Sequence, residues 1–263
     1  MKYFDVHNHI FPANIAAKAV GQLEEYYGFH WAGTGEEEDL LRSLQQGGIG
    51  KSVIFSCATK ASQVRTINDY ISSLQNKYPG LFLGFGSMHP EFDAVPEELQ
   101  RMKDLGLKGV KFHPDFQQFP IDDPRMMRIY EAIGDSMIML FHLGDPKTDY
   151  SAPERLARVL DRLPEAKIIA AHMGGYQVWK RAERALAGRD LYFDISSTIP
   201  HAGVETVRRL VLKHGAEKVL FASDYPAISH EQAIADVLSL GLPDDMLEKI
   251  FYRNAETLLG ENV

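Results

Sequence analysis

The chain has 263 residues, 45% of them hydrophobic and 24% charged, with a formal net charge of -8. That composition excludes a disordered chain and supplies a sizeable core, while the acidic balance and the lack of any Lys/Arg run argue against a nucleic-acid footprint. Cys57 is the single cysteine, which excludes an internal disulfide and a thiolate zinc site; with no apolar run of membrane-spanning length and no signal-peptide pattern, the expectation is a cytoplasmic protein with a small-molecule substrate and no membrane partner.

Along the chain, short β-branched or aromatic runs alternate with amphipathic stretches. Strands are expected near residues 3–6, 52–57, 82–87, 109–112, 137–141, 167–170, 191–195 and 219–222. Helical patterns fall near 37–46, 62–77, 96–105, 124–133, 153–163, 176–187, 204–214 and 230–238, with 244–258 closing the chain. Several open with proline in the first turn. Eight β-then-α units at this spacing predict right-handed crossovers and a parallel sheet that closes on itself, an α/β fold of one domain over residues 1–263: the (β/α)8 TIM barrel. The first βα connection, residues 11–35, is too long for an ordinary loop. It carries Tyr26, Tyr27, Phe29, His30 and Trp31, and is expected to form a lid or pocket wall.

In such a barrel the chemistry gathers at the carboxyl ends of the strands. There the sequence places His7 and His9, then His89, Lys111 and His113, His142, His172, Asp194 and Asp224. In Phe4-Asp5-Val6-His7-Asn8-His9-Ile10 the period-two alternation of a strand would set Asp5, His7 and His9 on one face. Imidazole nitrogens joined by a carboxylate oxygen suit zinc, iron(II) or manganese, and three or four of them leave a position for water. One open metal centre is therefore expected, with Asp194 as the partner that fixes a histidine tautomer. Gly48-Ile49-Gly50-Lys51-Ser52 imitates the tail of a phosphate-binding loop, but Gln45 stands where the earlier glycine belongs and the segment enters a strand instead of leaving one. It reads as a tight turn.

With Asp5-Val6-His7-Asn8-His9, His142, His172 and Asp224 in these places, the chain resembles the amidohydrolase superfamily. Gly109-Val110-Lys111-Phe112-His113-Pro114 and Ser223-Asp224-Tyr225-Pro226 resemble its "amidohydrolase 2" branch, related to aminocarboxymuconate-semialdehyde decarboxylase, and the resemblance runs from Asp5 to Asn254. It implies that His7, His9, His142 and Asp224 hold one divalent metal, zinc before manganese or iron, while His172 orients or deprotonates the attacking water and Asp224 also touches it. The implied activity is metal-dependent hydrolysis of a small carboxylic derivative, an amide or lactone, through metal-activated water. Non-oxidative decarboxylation of a small aromatic or enol acid is the alternative at the same site, a non-catalytic small-molecule binder is a third, and the branch implies a homodimer. Hydrolysis is preferred because no arginine falls at a strand end to grip a carboxylate. In binuclear relatives a carboxylated lysine from the fourth strand bridges two metals; a mononuclear centre is expected here, with Lys111 pairing with a carboxylate or steering an anionic substrate. Substrate contacts are expected from Lys111, His113, Trp31, His30 and Tyr225.

Overall fold

The computed structural model describes residues 1–263. Eight strands follow one another in chain order around a single sheet: β1 Phe4–His9, β2 Lys51–Phe55, β3 Phe82–Ser87, β4 Gly109–Phe112, β5 Ile138–Phe141, β6 Ile168–Ala170, β7 Tyr192–Asp194 and β8 Val219–Leu220. Every consecutive pair is parallel. The ends of the sheet meet where Val6 N–H donates to the Phe221 carbonyl (3.1 Å) and Asp224 N–H to that of His7 (3.1 Å). The sheet is thus the expected TIM barrel.

Strands buried on both faces need apolar residues throughout, and β-branched or aromatic side chains fill both sides here. Phe4, Val6, Phe55, Phe85, Leu140 and Leu220 belong to the cluster inside the barrel, and a larger cluster of 53 buried residues packs between the strands and the surrounding helices. This floor leaves the upper rim free for polar groups. None of the helices is long and apolar enough to cross a membrane.

Two local features depart from the sequence reading. The connection over residues 11–35 is not an open loop, because helix α1 occupies Ala13–Tyr27 and ends at Gly28 in the left-handed conformation (φ 77°), whose N–H caps the Glu24 carbonyl. Its alanine-rich sequence favours a helix, but Pro12 precedes it with no side-chain cap to announce the start. Helices α2 (Glu37–Gly47) and α3 (Val64–Lys77) follow near their expected places.

The second departure is in β1. Asp5 pairs with Ser52 and Asn8 with Ile54, so β1 spends one more residue than β2 across that interval. Such a bulge breaks the alternation of faces. Phe4 and Val6 point into the barrel; beyond the bulge His7 and His9 do too, with Phe55 edge-on to both rings. Asp5 is left on the other side, where its carboxylate accepts from the N–H groups of His7 (2.9 Å) and Ser223 (3.2 Å) and lies 3.2 Å from His230 Nε2. The expectation that Asp5 shares the face of the two histidines does not hold.

Candidate active site

The upper rim opens into a cavity of about 770 Å³ lined by His9, His113, His142, His172 and Asp224 at its floor and by α1, Phe29, Trp31, Phe116 and Tyr176 at its sides. His7 lies directly beneath this floor and is wholly buried.

Three groups converge at one point. His7 Nε2 is 3.3 Å from His9 Nε2 and 3.1 Å from Asp224 Oδ1, and His9 Nε2 is 3.6 Å from the same oxygen. Asp194, at the end of β7, decides what His7 can do there, because His7 Nδ1–H donates to Asp194 Oδ2 at 2.8 Å. With its proton on Nδ1, the neutral ring turns a lone pair toward His9 and the carboxylate. A lone pair and a carboxylate oxygen 3.1 Å apart repel unless positive charge stands between them. Electrostatics give the same result: burial and the Lys111 amine oppose a charged His7, yet Asp194 and Asp224 outweigh them and raise its pKa above the ordinary value. A second proton on His7 would meet that demand, and so would a divalent cation. Two imidazoles and one carboxylate are also a borderline donor set with room for further ligands, so the residues present fit a divalent ion. His9 is pushed down to about 4, chiefly by burial, which keeps its ring neutral and its nitrogen free to ligate.

The carboxylates are held ionised. Burial works against Asp194 and Asp224, but His7 and the neighbouring imidazoles lower Asp194 to about 2 and Asp224 well below the usual carboxylate range. Asp194 Oδ1 accepts from His172 N–H (3.0 Å), Ser196 N–H (3.1 Å) and the Ser196 hydroxyl, leaving Oδ2 to His7. Ser197 Oγ–H donates to Asp224 Oδ2 at 2.6 Å, and Asp224 itself sits at φ 68°, a turn conformation that aims its carboxylate back toward β1.

His142 and His172 form a second pair. His172 Nδ1–H donates to the Ser196 carbonyl (3.0 Å) and His142 Nε2–H to that of Gly144 (3.1 Å). The remaining nitrogens, His172 Nε2 and His142 Nδ1, face each other at 2.9 Å, both with lone pairs when the rings are neutral. Burial lowers the pKa of both rings. The structure therefore gathers His7, His9 and Asp224 tightly and turns His142 toward His172 instead.

Lys111 is completely buried under the cavity floor and does not line it. Its Nζ donates to His7 Nε2 at 3.2 Å and lies over the Phe55 ring. Burial depresses its pKa, which weakens the repulsion it would exert on a neighbouring cation. In this position it contacts His7, and a substrate in the cavity would meet it only through that ring. Two other expected contacts also fall outside the cavity. His30 is exposed and pairs with Glu24, because Phe29 and Trp31 on either side take the inward positions. The Tyr225 ring stacks on His230 and its hydroxyl donates to Asp39 Oδ2 at 2.6 Å, which draws it toward α2. Trp31 and His113 do line the cavity.

The sequence reading placed Tyr27, the last residue of α1, in the lid or pocket wall but not among the substrate contacts. The short turn after β4 begins with His113, whose Nδ1 accepts from Phe116 N–H at 3.4 Å. Burial lowers the His113 pKa well below its ordinary value, so the neutral ring must carry its proton on Nε2. That N–H donates to the Tyr27 hydroxyl oxygen at 3.2 Å. Tyr27 is thus an acceptor in this bond, and its own O–H proton remains for a group in the cavity. Burial raises the Tyr27 pKa well above the ordinary value, so that proton stays in place.

Comparison with known proteins agrees with this architecture. An uncharacterized TIM-barrel protein from Bordetella bronchiseptica is 21% identical with a TM-score of 0.80, covering 99% of each chain. A 5-carboxyvanillate decarboxylase from Sphingomonas paucimobilis is 15% identical with a TM-score of 0.75 over 99% of each chain. A dihydroxybenzoic acid decarboxylase from Polaromonas sp. JS666, with bound manganese and the inhibitor 2-nitroresorcinol, is 16% identical with a TM-score of 0.75 over 98% of this chain and 97% of its own. At such identities the likeness is one of fold. The family itself is shown by sequence, since the Amidohydro_2 model, described as amidohydrolase, matches residues 4–260, and the chain accordingly belongs to the amidohydrolase family.

Proposed function

We propose that the protein is a metal-dependent hydrolase of an uncharged carboxylic derivative such as an ester, lactone or amide. One observation carries the choice: the cavity wall contains no arginine, and its single lysine, Lys18, lies on α1 and not at the floor. A decarboxylase must hold a substrate carboxylate next to the reacting carbon, and apart from the metal itself no cationic side chain lines this floor to share that task.

His7, His9 and Asp224 would hold the ion, with His142 the further ligand that the sequence resemblance implies. When bound, a divalent ion supplies Lewis acidity, lowering the pKa of water from about 15.7 to roughly 7 and polarising a carbonyl oxygen. The chain's own groups do the rest. Asp224, kept ionised, accepts a proton from the attacking water and passes it to the leaving atom. His172, neutral and anchored through Nδ1 to the Ser196 carbonyl, would orient that water through Nε2 once His142 Nδ1, 2.9 Å away, turns to the ion. Tyr27 O–H donates to the carbonyl oxygen as negative charge develops there, and His113 holds its hydroxyl in line.

Decarboxylation at the same site is the second reading, favoured by the activities of the similar Sphingomonas and Polaromonas proteins. A panel separates the two. Metal-loaded protein is expected to release acid from esters, lactones or amides and no carbon dioxide from hydroxybenzoic or enol acids; carbon dioxide release with inert esters would overturn hydrolysis.

A further inference from the structure

The cavity is much larger than the chemistry at its floor requires. A buried space of about 150 Å³ already accommodates a single benzene ring, whereas this one holds about 770 Å³. The surplus lies on one side. Ile15, Ala19, Leu23 and Tyr26 of α1 line it, and their spacing of three and four residues is that of one helix face. From Ile15 to Tyr26 that face rises about 16 Å at the helical pitch. Opposite it stand Ile67 and Tyr70, again one helix face, on α3.

The protein covers these two faces only in part, with Leu23 packed toward Val20 and Trp31 and Tyr26 against Phe116. Of the fifteen residues of α1 only Ala16 and Val20 are buried, and Ile15 is 47% exposed at the mouth. The polar groups Lys18, Gln22, Gln63 and Thr66 also reach the cavity, but no carboxylate other than Asp224 does. Here an apolar wall runs continuously from the reacting groups to the surface, and water along it would be released by an apolar occupant.

We propose that the substrate is an elongated acyl compound whose unbranched apolar tail lies between α1 and α3 while its carbonyl reaches Asp224 and Tyr27. This substrate class rests on the hydrolytic reading. Water adds its oxygen to the acyl carbon, the bond to the leaving oxygen or nitrogen breaks with its electron pair, and the proton taken by Asp224 returns to that atom. The products are a long-chain acid and an alcohol or amine.

The test uses the metal-loaded full chain and two matched probe series below their micellar concentrations: straight-chain carboxylates, titrated calorimetrically, and their methyl esters, followed by acid release. From four to twelve carbons, carboxylate affinity and ester kcat/KM should each rise roughly fourfold per methylene. Ile15→Asp, at an exposed position, should flatten both slopes, and Ala19→Glu provides a second disruption of the same wall. Turnover indifferent to chain length, or slopes unchanged by both substitutions, would overturn the channel and leave hydrolysis standing. Steep carboxylate binding that both substitutions flatten, with no ester turned over, would support the channel and overturn the hydrolytic reading.

Discussion

Asp194→Asn changes one atom in kind, and the hydrogen bonds around it fix how the amide must sit. Three donors, the N–H groups of His172 and Ser196 and the Ser196 hydroxyl, all address Oδ1. The amide oxygen therefore takes that position, and the NH2 group replaces Oδ2 at 2.8 Å from His7 Nδ1. Two N–H groups cannot face each other at that distance, so His7 must move its proton to Nε2, the nitrogen that faces His9 and Asp224. The ligating lone pair is lost. Outer partners of this kind are worth 10- to 100-fold in metal affinity, about 1.4–2.7 kcal/mol, and a wrong histidine tautomer can cost a triad enzyme up to about 10⁴ in kcat. Competition with a chromophoric chelator would give the affinity, and the melting temperature of the metal-free variant would check that the fold persists. Wild-type metal affinity in a folded Asp194→Asn variant would refute the tautomer argument.

Tyr27→Phe keeps the ring and removes both the O–H that faces the cavity and the oxygen that accepts from His113 Nε2–H, so kcat should fall about 10²-fold with KM nearly unchanged, and the unpaired His113 N–H should cost about 1–3 kcal/mol of stability; a KM effect alone would assign Tyr27 to binding. Metal uptake should release protons, because the raised pKa of His7 means that below it an added proton must leave before the ring can ligate. Apparent affinity should then climb as pH rises through that pKa and level off above it, which titration in buffers of different ionisation enthalpy would measure. Away from the site, the Glu98 side chain is wholly buried; burial opposes its charge, but bonds from Arg101 and Asn68 depress its pKa below 4.5. A depressed carboxylate stabilises the fold above its unfolded pKa and loses that contribution as pH falls through the folded value. Glu98→Gln should therefore cost about 1–3 kcal/mol near neutrality, and urea midpoints should converge with wild type in acid; a constant gap would contradict the charge argument.

The barrel was legible in the sequence because buried parallel strands leave continuous apolar runs, and their carboxyl ends were marked by His7, His9, His142, His172 and Asp224. What could not be read depends on atoms distant in sequence. The bulge in β1 inserts one residue without any glycine or proline to mark it, so alternation alone misplaced Asp5. Helix α1 lacked an N-cap signal, and Gly28 was the one clue to its end. His30 and Tyr225 sit beside cavity residues in sequence, but their partners Glu24 and Asp39 draw them elsewhere. The role proposed for Tyr27 follows from a chain of tautomers through His113 and the Phe116 N–H, which no spacing in the sequence encodes.

The most direct test of the account is the metal content of stripped protein reloaded with zinc or manganese and desalted, measured by elemental mass spectrometry for wild type and His7→Ala. Wild type should hold about one ion per chain and the variant little, with ester hydrolysis returning in proportion to the metal regained. Wild-type protein that takes up no ion and still hydrolyses ester would contradict it.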